Sequence, residues 1–177
     1  MTIKLQNGSV PSAIKFGSST ILKVYKGAAL LWTRTPTFTA ATRYDTNSII
    51  STDSFVDHEW NTLYGLQDWA VAKSGSNPAT MTFTFATSAG AADWMTALAS
   101  NSSVDFTLDT ANISGSGPIS TARNKDNFTH ASGATTVSGV AGTGPGTPGG
   151  DVLDICSNSL FSSASLPVAF TTEFTFA

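Results

Sequence analysis

Three stretches of the chain alternate strictly between apolar and polar positions. In "MTFTFAT", Met81, Phe83 and Phe85 share one face, and Thr82, Thr84 and Ala86 share the other. In "VDFTLDT", Val104, Phe106 and Leu108 stand against Asp105, Thr107 and Asp109. In "VAFTTEFTFA", Phe170, Phe174 and Phe176 stand against Thr171, Glu173 and Thr175. Successive strand side chains point to opposite faces, so a period of two predicts strands with one buried and one wet face, the antiparallel pattern. "PTFTAATRY" from Pro36 to Tyr44 is a weaker candidate of the same kind. The period changes in "TSAGAADWMTALASN", where Ala91, Trp94, Met95 and Leu98 fall at helical spacing, with Ser88 able to cap the start and Asn101 to mark the stop. That stretch predicts one short amphipathic helix lying across the sheet. "DHEWNTLYGLQDWAVAK" fits either a second short helix or a strand pair. From about residue 112 to 150 the pattern dissolves into Gly, Ser, Thr and Pro, as in "SGATTVSGVAGTGPGTPGG". A loop this long is expected to be functional or ordered by a partner.

The first 34 residues carry a weak repeat spaced on glycine: "IKLQNGSV" around Gly8, "AIKFGSSTIL" around Gly17 and "VYKGAALLW" around Gly27. Short strands broken by glycine turns at this spacing predict a β-meander or a small strand-swapped arm. So small a piece buries little surface and must lean on its own body, a sister subunit or another protein. Pro36 cannot donate to a ladder and restrains Thr35 to extended backbone, which places a boundary near residues 33–36. The expected organisation is an N-terminal β arm over 1–35 and a β-rich body over 36–177. The expected fold is mainly β, an antiparallel sheet or sandwich-like domain with one short amphipathic helix, with α+β as the alternative.

Composition agrees with strands. Serine and threonine make up 49 of the 177 residues, whereas 21 are charged, and threonine fits a pleated surface better than a helix. Charge is distributed unevenly: residues 1–44 hold six basic and no acidic side chains, and residues 45–177 hold twelve acidic and three basic ones. Such asymmetry suggests a basic arm that meets an acidic partner surface. The alternation of lysines with strand residues, and the acidic body, argue against nucleic acid as that partner. Neither a signal peptide nor a membrane-spanning run is recognisable, so a soluble protein made in the cytosol is expected.

Candidate chemistry is sparse. Cys156 is the single cysteine and reads as a small buried hydrophobe; it excludes a disulfide framework and a four-cysteine zinc site. Asp57, His58 and Glu59 are adjacent and therefore diverge, whether on a strand or a helix. "GSGPIS" lacks the second glycine of a nucleophile elbow, and "GTGPGTPGG" lacks the Lys-Ser/Thr of a phosphate loop. Asp105 and Asp109, four residues apart on one strand, would stand about 13 Å apart, too far to act as a glycosidase pair. No catalytic residue, metal ligand or cofactor is expected.

The stretch "ILKVYKGAALLW", Ile21 to Trp32, resembles a short unit of the form I-x-K-V/I-Y-x-G-x-x-x-V/L-W/Y at the N-terminus of small virion structural proteins of tailed bacteriophages, cyanophages in particular. "AIKFGSSTIL" looks like a degenerate copy of it. The resemblance covers some 20–30 of the 177 residues and implies a β-rich attachment segment followed by an unrelated domain. It implies a non-enzymatic virion protein, a capsid decoration or cement protein above all, made in the host cytoplasm. Its partners would be the major capsid protein or other virion proteins, and it would be present in several copies or as a homo-oligomer. The docking residues would be Lys4, Lys15, Phe16, Lys23, Val24, Tyr25, Lys26, Leu30, Trp32 and Arg34. The alternative is a tail, neck or fibre component that binds a carbohydrate or receptor, with Trp60, Tyr64 and Trp69 as an aromatic platform.

Overall fold

In the computed structural model of the protein, the described residues are 14–16, 19–21, 23–26, 29–33, 36–45, 48–56, 58–72, 80–109, 119–140 and 167–177. The chain divides into two compact units, Met1–Pro36 and Thr37–Ala177. The first contains two separate antiparallel hairpins. Strand β1 (Ile14–Phe16) pairs with β2 (Ser19–Ile21), and β3 (Lys23–Lys26) pairs with β4 (Ala29–Thr33). The ladder of the second hairpin shifts register between Val24 and Tyr25, leaving Leu31 as the extra residue of a bulge. The expected meander is therefore a pair of independent hairpins, and the Gly8 unit lies outside the described residues.

The second unit is mainly β. Its strands are β5 (Thr37–Asp45), β6 (Ser48–Ser51), β7 (Leu66–Ala72), β8 (Thr80–Phe85), β9 (Val104–Asp109), β10 (Ile119–Arg123), β11 (Phe128–Thr129), β12 (Thr136–Val140) and β13 (Val168–Phe176). They form one antiparallel sheet in the order β10-β9-β13-β5-β6-β7-β8-β12-β11. The three alternating stretches of the sequence are β8, β9 and β13, with the apolar residues buried as the pattern requires. The weaker candidate "PTFTAATRY" is the inner strand β5, which buries Phe38, Ala40, Thr42 and Tyr44.

Ring contacts show how this sheet bends. Strands β8 and β13 are four positions apart, which is about 19 Å in a flat sheet. The rings of Phe83 and Phe174 nevertheless lie 5.5 Å apart, and Trp69 of β7 lies 4.9 Å from Phe174. The sheet therefore curls round its apolar face, and a single aromatic core fills the concavity. One polar pair sits there as well. The Thr42 hydroxyl donates to the Phe170 carbonyl at 3.0 Å and lies 3.0 Å from the Thr172 hydroxyl, so both buried hydroxyls are satisfied.

Two helices line the concave side. Helix α1 (Glu59–Tyr64) ends at Gly65, whose φ of 69° is left-handed and whose N–H donates to Asn61 O at 2.8 Å. "DHEWNTLYGLQDWAVAK" thus contains both predicted possibilities, a helix and then strand β7. Helix α2 (Ser88–Ala99) buries Ala91, Trp94 and Leu98 and exposes Ala92, Asp93 and Thr96. Its cap is Thr87, one residue before the expected Ser88; the Thr87 hydroxyl accepts from Gly90 N at 3.1 Å.

The long loop expected over 112–150 is corrected by the structure. Strands β10, β11 and β12 and a 3-10 turn at Lys125–Asn127 lie within it. Their composition, with Thr, Ser, Ala and Gly between a few larger residues, masks them in the sequence, and at one position the glycine is required. A Cβ on Gly139 of β12 would stand 2.6 Å from Phe128 Cδ1 and 3.0 Å from Asn127 O. The Phe128 ring occupies the place of a side chain at residue 139. Gly139→Ala is expected to destabilise the body by about 1–3 kcal/mol, an overpacking cost. Chemical denaturation of the purified chain measures this, and an unchanged midpoint would contradict the close approach.

Candidate functional site

The docking residues expected in the arm fall on its two hairpins. Lys15 and Phe16 are on β1, opposite Thr20 and Ser19 of β2. Lys23, Val24, Tyr25 and Lys26 are consecutive on β3, and Leu30 and Trp32 are on β4; Val24 faces Trp32 and Tyr25 faces Leu30 in register. Six of the ten residues thus share one hairpin, two share the other, and Lys4 and Arg34 lie outside the described residues. In the sequence, Gly17-Ser18 and Gly27-Ala28 lie between the paired strands. Residues 1–36 carry five basic and no acidic side chains.

The aromatic platform is not formed. Trp60 and Trp69 have 0% exposure, and a stacking surface needs an open ring face. Trp60 is stacked on Phe176 at 4.9 Å and meets Trp94 edge-on at 5.8 Å, while Trp69 abuts Phe174. The curl of the sheet has turned these rings into core. Tyr64 is half-buried, with its ring edge on Trp60 and Phe176. Burial, and then the nearby Asp93 charge, raise its phenol pKa above the ordinary value, so it stays protonated at neutral pH.

The titratable groups of the body are used locally. His58 Nε2 lies 3.5 Å from Asp53 Oδ2, and its ring packs against Phe38 and Phe55. Glu59 Oε2 accepts from Thr37 N at 3.0 Å and so fastens the start of β5 to α1. The neighbours His58 and Glu59 thus serve different partners. His130 Nε2 lies 2.9 Å from Ala134 O, across a turn. An open groove of about 510 Å³ runs between this turn and the start of α2, lined by Ser88, Ala89, Ala92, His130, Ser132 and Gly133. It brings a histidine near two serines without a carboxylate to orient the ring. Among the described residues no group of three or more His, Cys, Asp and Glu could hold a metal ion, and no helix is long and apolar enough to cross a membrane.

The convex face of the sheet carries three of the acidic side chains. Asp105 and Asp109 of β9 and Glu173 of β13 lie on it among threonines, with Thr175 opposite Asp105 and Thr107 opposite Glu173. Asp105 Oδ1 accepts from the Ser103 hydroxyl at 2.6 Å. Alternation alone identifies these outward positions in the sequence. Their grouping on neighbouring strands depends on the β9–β13 pairing, which joins segments some 65 residues apart. Compared with known proteins, the chain matches no family model, no curated protein and no solved structure.

Proposed function

We propose that this chain is a non-enzymatic structural protein of a tailed-bacteriophage virion, a capsid decoration or cement protein held on the particle through its N-terminal hairpins. The observation that supports this best is the β3–β4 hairpin. It coincides with the residues that resemble the phage unit, and it belongs to a compact unit distinct from the body. A two-stranded hairpin is marginal in water by itself, so a dedicated acid-free hairpin unit is suited to contact with another protein, the major capsid protein or a neighbour in the same shell. The body adds a threonine-rich, acidic outer face over a dense aromatic core, a stable and well-hydrated exterior. A place on the tail, neck or fibre as a glycan-binding module has less support, because Trp60 and Trp69 are buried.

Particles grown with a chain lacking residues 2–33 are expected to lose the protein, while the remaining body stays soluble. The full-length variant Lys23→Glu/Lys26→Glu is expected to be depleted from particles as well. Quantitative mass spectrometry of purified virions reads both, and stoichiometric incorporation of the truncated chain would overturn the docking role.

A further inference from the structure

We propose that the convex face of the sheet pairs two copies of this chain about a twofold axis, with Arg43 of each copy meeting Glu173 of the other. The contact uses the body alone and does not depend on the docking role of residues 1–36.

Arg43 supplies the first observation. It lies on β5, opposite Ala169 of β13 on one side and Ile50 of β6 on the other, and neither neighbour offers an acceptor side chain. Its Nε is buried with no hydrogen-bond partner among the described residues, while the residue as a whole stays partly exposed. A guanidinium so placed bears a desolvation cost that an incoming carboxylate would offset. Among the described strand residues of the sheet, Arg43 and Arg123 are the basic ones. Arg123 is opposite the buried Val104 and so belongs to the concave side, which leaves Arg43 as the strand cation of the convex face.

Glu173 supplies the second. It is exposed on the neighbouring strand β13, opposite Thr39 of β5. Neither Glu173 nor Arg43 joins an ion pair among the described residues. Thr39 and Arg43 are four residues apart on one strand, so Glu173 and Arg43 stand about 13 Å apart along the strand direction, too far to pair within one copy. Because this separation runs along a single strand, the curl across the sheet does not shorten it.

The spacing is self-complementary. Halfway between the two charges the register sets Ala41 opposite Thr171, both exposed and both small. A twofold axis lying across the strands at this level reverses the strand direction and turns one face onto the other. It brings Arg43 of one copy to the level of Glu173 of the other, and both pairs form at once, as an isologous contact requires. Small side chains at the axis let the two sheets approach to a packing distance of about 10 Å, which an arginine and a glutamate span together. Asp109 of β9 is at the level of Thr171 but one strand further out, where two convex faces curve apart, so the two copies of Asp109 do not meet. The curl also confines the contact to a strip along β5 and β13, which places it among the small and weak interfaces.

Sedimentation velocity of the full-length chain tests this at rising concentration and low salt. The wild type is expected to pass from monomer to dimer and no further, and added salt is expected to weaken the dimer. Arg43→Glu and Glu173→Arg each set like charges at both contacts. Each is expected to raise the dimer dissociation constant on the order of 100-fold, with unchanged circular dichroism. Opposite charges return in two ways, in the double variant Arg43→Glu/Glu173→Arg and in an equal mixture of the two single variants. Both are expected to dimerise as the wild type does. A wild type that stays monomeric, single variants that associate as the wild type does, or a double variant or mixture that stays monomeric would each overturn the proposal. Association through the N-terminal hairpins would persist in the single variants and so counts against this face.

Discussion

Trp94→Ala is expected to lower the stability of the body by about 3–5 kcal/mol, the cost of emptying a fully buried aromatic site. Trp94 has 0% exposure and is the hub through which α2 joins the sheet. Its ring lies 4.9 Å from Phe83 on β8, 5.5 Å from Phe128 on β11 and 5.7 Å from Phe176 on β13, and meets Trp60 of α1 edge-on. Strands β11 and β13 are far apart in the sheet order, so this one ring bridges distant parts of the curl. At roughly 2–4 °C per kcal/mol for a domain of this size, the melting temperature should fall by about 10 °C. Trp94→Phe separates packing from polarity. The indole Nε1 is buried with no hydrogen-bond partner among the described residues, so phenylalanine removes that donor while keeping most of the ring. Its cost should be well under half that of alanine. Equal losses for the two variants would show that the bridging contacts are not what Trp94 contributes.

Gly90→Ala is expected to cost about 2 kcal/mol net, the upper end of an overpacking cost less the helix relief, although alanine is the better helix former. A Cβ at residue 90 would clash with the Tyr64 carbonyl oxygen and stand 3.0 Å from Tyr64 C. These are backbone atoms at the end of α1 and cannot rotate away, so α1 and Trp60 with it must shift. Relief of the helix penalty for glycine returns about 1 kcal/mol, less than the overpacking cost. Thermal unfolding of Gly90→Ala beside Ala92→Gly, an exposed position on the same helix, makes the comparison. Both variants should lose stability, Gly90→Ala the more, and a Gly90→Ala chain as stable as the wild type would mean that α1 and α2 do not approach this closely.

These sites also show what could be read from the chain beforehand. Strands β8, β9 and β13 were legible because their alternation is uninterrupted, and α2 because Ala91, Trp94 and Leu98 keep its period. Strand β7 was ambiguous for a local reason. Its register shifts between Leu66 and Asp68, so Leu66 and Trp69 are both buried although three residues apart. Strand β6 is four residues long and buries Ile49 alone. Strands β10 to β12 were hidden by composition: a glycine that reads as a loop breaker is required at Gly139, because the Phe128 ring fills the space. The burial of Trp60 and Trp69 follows from the curl, a non-local property that no window of sequence contains. In the arm, glycine spacing indicated short strands and turns, while the division into two independent hairpins depends on pairings that the repeat left open.

The location and copy number of the protein in the virion test the proposed function most directly. Cryo-electron microscopy of the particle, with its proteins quantified, is expected to find this chain on the capsid surface in numbers that follow the icosahedral lattice, its N-terminal hairpins against neighbouring protein. Purified particles that lack the chain, or that carry it on the tail in multiples of three, six or twelve, would contradict that account.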